Sequence, residues 1–232
     1  MEGIVDPFAT KGVEYLIAVA FLLLLVGFWR LVGRPRPVLL RPVSAGASGF
    51  RPAPEGWFAL RGGHFFHQGH SWAVPESADV VRVGMDDFAQ KLLGDPSRIE
   101  LPAPGTALQQ GEHGWTVQVD SGSVSMLSPV DGEVVAVNAA ISSRPDLVSR
   151  EPYDDGWLLK VRVPNPKSLG INLLSGRLAR AWMEETNERL RTLSSDTLGI
   201  LLPDGGVPVQ GFARALSPED WVAVAEEFLL SG

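Results

Sequence analysis

The chain has 232 residues, enough for one sizeable core or two small ones, with an ordinary globular balance of 45% hydrophobic and 20% charged residues. Its net charge of -7 argues against a nucleic-acid partner, because phosphate binding needs a basic face. The absence of cysteine excludes a disulfide framework, thiolate-bound zinc, cysteine-ligated iron–sulfur clusters and a cysteine nucleophile.

The first segment, 1–34, carries an uncharged run from Tyr15 to Trp29 that continues past Arg30 to Gly33. Apolar on all faces, it is expected to be a single transmembrane helix over about 13–33, with Arg30 snorkelling and Tyr15, Phe28 and Trp29 at the interfaces. Positive charge follows the run (Arg30, Arg34, Arg36, Arg41) more than it precedes it (Lys11). This predicts the amino terminus outside and the main domain in the cytoplasm. The proline-rich stretch 35–55 reads as an extended linker.

From His70 onward, strands and turns alternate. His70 to Trp72 opens a strand. Val81 to Asp95 reads as a strand, a glycine and a helix capped by Asp86 or Asp87 and closed near Gly94. Ile99 to Glu112 gives a short strand and a proline–glycine turn. A hairpin runs from Thr116 to Val135 around the tip Asp120-Ser121-Gly122-Ser123, followed by a turn at Asp131-Gly132. A further strand follows Trp157.

These residues resemble the glycine cleavage system H protein. The family pattern opens with histidine-x-tryptophan, here His70 and Trp72. It continues with Gly84, Ala89, Gln90, Leu93, Gly94 and Asp95, and with Leu101, Pro102 and Gly105. Then come Ser128, Pro129, Gly132, Val134 and Asn138. The last block is Pro145, Leu147, Pro152, Tyr153, Gly156, Trp157, Leu158 and Lys160. Order and spacing hold over about ninety residues. The resemblance implies a mainly β fold with helical additions, a lipoyl/biotinyl-type hammerhead or flattened β-sandwich, over 56–192.

The departure falls on the chemistry. The family carries its swinging arm on a lysine within E-S-V-K-A, seven residues before the serine–proline pair. That position is Ser121 here, within Gln118-Val119-Asp120-Ser121-Gly122, and no lysine lies between Leu92 and Leu159. A lipoyl amide needs a primary amine, so no cofactor is expected. At a hairpin tip, Asp and Ser favour local side-chain to backbone bonds, and Gly supplies positive φ.

No catalytic constellation is found. Glu76, Asp79 and the adjacent Asp154-Asp155 read as solvated acids. His64, His67 and His70 recur at a spacing of three, but Gly62, Gly63 and Gly69 oppose a helix that would align them. They are weak metal candidates, with imidazole and aromatic packing as the simpler expectation.

Beyond the domain, Leu173 to Leu190 reads as an amphipathic helix. The extension 193–232 reads as a β-hairpin over Thr197 to Leu216, then a helix with Ser217 as N-cap, Pro218 at N1 and Asp220 at N3. It could pack on the domain or meet a partner. The functional expectation is a non-catalytic, membrane-anchored, H-protein-like subunit with a structural, assembly or docking role. It would contact the lipid bilayer and other subunits of a membrane complex, such as a respiratory one. Two alternatives stay open: a carrier in acyl or one-carbon transfer with another attachment site, and a histidine-based metal or haem subunit.

Overall fold

The computed structural model describes residues 15–25, 28, 56–120, 122–193 and 208–230. The chain divides into two units, Met1–Phe50 and Arg51–Gly232. In the first, residues 15–25 form helix α1, with exposed side chains such as Tyr15, Phe21 and Leu24. Among the described residues, no helix is long and apolar enough to cross a membrane. The expected single-pass location, with its outside amino terminus, cytoplasmic domain and lipid contact, is corrected accordingly. The expected 35–55 linker lies outside the described residues.

The second unit is built on two antiparallel sheets. One has the order β1-β2-β3-β9-β8-β5, formed by Phe65–Phe66, Ser71–Pro75, Val80–Met85, Leu159–Arg162, Gly132–Val137 and Ala107–Leu108. The other has the order β4-β6-β7, formed by Arg98–Glu100, His113–Val119 and Gly122–Leu127. Alternation drives the layering. Trp115, Val117 and Val119 on β6 and Val124 and Met126 on β7 are buried, while Ser123 and Ser125 between them are not.

The helix after β3 is α2, Asp87–Leu93. Asp86 is its N-cap: its backbone is extended, and its carboxylate accepts from Ala89 N at 2.9 Å. Gly94 closes it at φ 85°. Short helices α3, Ala139–Ser143, and α4, Leu147–Arg150, link β8 to β9. Beyond β9 come α5, Leu169–Asn172, and the long amphipathic α6, Gly176–Leu193. The leading segment is fixed at Ala59, whose N–H donates to Asp87 Oδ2 at 2.7 Å and whose carbonyl accepts from the Tyr153 hydroxyl at 2.6 Å.

The carboxy-terminal expectation meets the structure only from residue 208 onward. Residues 194–207 lie outside the described residues, but Phe212–Leu216 is helix α7 rather than the second strand of a hairpin. Gly211 precedes it at φ 70° and donates its N–H to Lys91 O at 2.7 Å. Glycine at that bend and docking onto α2 override the strand-like reading of the run. Helix α8, Trp221–Leu229, begins at Asp220 rather than Ser217, although Ser217 Oγ still accepts from Asp220 N at 3.3 Å. Both helices bury apolar faces on the domain: Phe212, Ala213, Trp221, Ala225, Phe228 and Leu229 all join its core.

Candidate functional site: the covered β6–β7 hairpin

The β6–β7 ladder runs from His113 opposite Leu127, through a bulge before Trp115, to Val119 opposite Gly122. Ser121, the position that the family pattern assigns to the arm, lies outside the described residues, but both neighbours are defined. Asp120 takes φ 51°, the left-handed conformation that aspartate tolerates at tight turns. Its carboxylate accepts from Arg214 Nη1 at 2.6 Å. Gly122 lies under Trp221 and Val222: a Cβ there would overlap the Trp221 ring and reach 3.0 Å from Val222 Cγ2.

Arg214 is the rivet of this cover. It binds Asp120 through Nη1, donates to Leu93 O through Nη2 at 2.8 Å, and lies over the Trp221 ring at 5.2 Å. Its pair with Asp120 is half-open to solvent (35% and 72% exposed), so it contributes about 0–1 kcal/mol. Burying each large side chain of the cover contributes roughly 1.5–3 kcal/mol. Apolar packing therefore holds the helices down, and the ion pair fixes their register. Phe212 and Phe228 meet Phe88 at 5.6 and 5.3 Å, and Gln210 Nε2 donates to Gln90 Oε1 at 2.9 Å. At the far end of α8, Leu229 O sits where a Cβ at Gly69 would fall.

The three spaced histidines do not converge. His64 is packed edge-on against Trp72 and Tyr153, at 4.9 and 5.3 Å, and its ring nitrogens make no hydrogen bond of good geometry, only a weak one with the Gly62 backbone. Burial lowers its pKa to about 4. His67 accepts from Gly69 N at 3.0 Å, and burial lowers its pKa too. His70 is buried against Asp86, 2.9 Å from Nδ1 to Oδ2. Among the described residues no group of three or more histidine or carboxylate side chains is placed to hold a metal ion. Glu76 pairs with Lys160 at 2.9 Å, Asp79 with Arg162 at 3.7 Å and Asp154 with Arg61 at 2.8 Å. Each of these acids thus faces a cation. The Tyr153 hydroxyl is raised well above its usual pKa, by burial first and by Asp86 next.

Arg214 and Trp221 define this cover together with Gly122 of the hairpin tip, and the sequence alone does not place these two beside it. Arg214 lies 94 residues from Asp120 and Trp221 lies 99 from Gly122, beyond any local pattern. The one available signal was their opposite, the acidic tip at Asp120.

Comparisons with known proteins agree with this scaffold. The family described as "Glycine cleavage H-protein" matches residues 64–186. A glycine cleavage system H protein of Opitutus terrae is 39% identical over 101 residues, 44% of this chain and 80% of that protein. One from Thermus thermophilus is 38% identical over 106 residues, covering 46% and 80%. A crystal structure of the H protein from Mycobacterium marinum aligns at a TM-score of 0.48 and 26% identity, covering 55% of this chain and 99% of that one. Among the described residues no helix is long and apolar enough to cross a membrane, and the expected membrane location is set aside.

Proposed function

Because this chain belongs to the glycine cleavage H-protein family, we propose that it keeps the family scaffold as a non-catalytic docking or assembly subunit and carries no arm at the β6–β7 tip. The functional unit runs over 56–192, and the described part of the extension, 208–230, serves as its cover. The observation that carries this reading is the seat of α8 on the hairpin. Trp221 fills the space above Gly122, and Arg214 holds Asp120. A swinging arm needs an amine and open space around its root. Here the tip offers Asp120, Ser121 and Gly122, and folded chain occupies the space beside it. What remains is a rigid β surface, suited to binding other subunits.

Intact mass of the full chain, purified from cells with an active lipoylation pathway, tests this. The mass of the bare polypeptide is expected. A lipoyl or other acyl increment on any residue would overturn the reading in favour of a carrier with a different attachment point.

A further inference from the structure

His70 has more to it than packing. It is 2% exposed and holds its backbone at φ 60°, a conformation that residues other than glycine keep only where their surroundings over-determine it. The surroundings do so here: Asp86 N donates to His70 O at 3.0 Å, and Phe88 and Trp182 pack against the ring at 4.1 and 4.6 Å. Asp86 is fully buried and accepts from both Ala89 N and His70 Nδ1. A carboxylate so placed keeps the imidazole proton on Nδ1 and leaves Nε2 as an acceptor. No described residue hydrogen-bonds Nε2, and Nε2 is not sealed from solvent as both ring nitrogens of His64 are.

His70 lines a cleft of about 210 Å³ together with Trp182, Glu185, Thr186, Arg189 and Phe228. That is below the roughly 300–1,000 Å³ of a typical small-molecule site, and suits a single side chain. The polar lining is rich in acceptors. Thr186 donates its hydroxyl to Trp182 O at 3.0 Å and keeps its lone pairs. Arg189, the cation among the lining residues, is bound by Glu227 and lies over the Phe228 ring at 5.0 Å. Glu185 and Glu227 against Arg189 leave two negative charges to one positive.

We infer that this cleft takes the ammonium of a lysine side chain presented by a partner protein. His70 Nε2 accepts one N–H, Glu185 balances the charge, and Trp182 and Phe228 flank the alkyl stem. The net charge of -7 steers basic partners toward this protein generally. The inference builds on the docking role above and supplies the chemistry of the partner.

The test titrates the full chain, labelled with ¹⁵N-histidine, with Nα-acetyl-lysine amide, using Nα-acetyl-norleucine amide as the uncharged control. Four histidines make the ring signals assignable. The lysine probe is expected to shift the His70 ring nitrogens saturably, with half-saturation in the millimolar range, and the norleucine probe is expected to leave them in place. Glu185→Gln, an exposed change, is expected to weaken the response several-fold. Equal responses to the two probes, no saturable response, or indifference to Glu185→Gln would each overturn the inference. Because the mass measurement reads the hairpin and the titration reads His70, each can fail without the other.

Discussion

The ring of Trp221 rests on the backbone of Gly122, so closely that residue 122 has no room for a side chain. The missing Cβ at Gly122 and the seat of α8 therefore fit one another.

Gly122→Ala is expected to destabilise the protein by about 1–3 kcal/mol through overpacking against Trp221 and Val222. Denaturant unfolding followed by circular dichroism checks it. An unchanged midpoint would mean that α8 does not sit on the hairpin.

Trp221→Ala removes a nearly buried ring and is expected to cost about 3–5 kcal/mol of the cover's docking free energy. Hydrogen exchange should speed up across 208–230 and in β7 while the protection of β2 and β3 persists. Uniform loss of protection would show that the cover and the scaffold unfold as one.

His64 predicts a pH dependence. Its folded pKa of about 4 lies below the ordinary 6.5, so the unfolded chain binds the extra proton between those values. Its contribution is fully present above pH 6.5 and is lost as pH falls toward 4. The amount is roughly 3 kcal/mol at about 1.4 kcal/mol per pKa unit. His67 shifts the same way and adds to the slope. His64→Leu should flatten the dependence, because it removes the buried ionisable ring. A variant with the parent slope of stability against pH would assign the effect elsewhere.

Ser121→Lys alone is expected to be a poor substrate for a lipoyl ligase. Asp120, next to the new ammonium, would favour its charged, non-nucleophilic form. Matching the family also requires Gln118→Glu, Asp120→Val and Gly122→Ala, and the last two remove the Arg214 pair and drive a methyl into Trp221. Those four changes together with Trp221→Ala should be modified, as read by mass. Efficient lipoylation of Ser121→Lys alone would show that the cover does not obstruct the tip.

The strands of the domain were legible because their burial follows local alternation. The cap and stop of α2 were legible because Asp86 and Gly94 bracket it in sequence. The cover was not. Thr197 to Leu216 carries β-branched residues and a proline–glycine turn, so local propensity favours a hairpin. The tertiary seat of Phe212 against Phe88 and Phe58 makes its last five residues helical instead. His70 was legible as part of the family opening, but its link to Asp86 joins residues sixteen apart and shows no periodic trace.

The seat of α8 on the hairpin also has a consequence in time. Gly122 leaves the ribosome about ninety residues before Phe212 does. At roughly 5–20 residues per second, that interval is about 5–20 seconds. Through it the β4-β6-β7 sheet has its hairpin but no cover, with Gly122 open and Asp120 unpaired. A partner that met this sheet during synthesis would find a surface that the finished chain withholds.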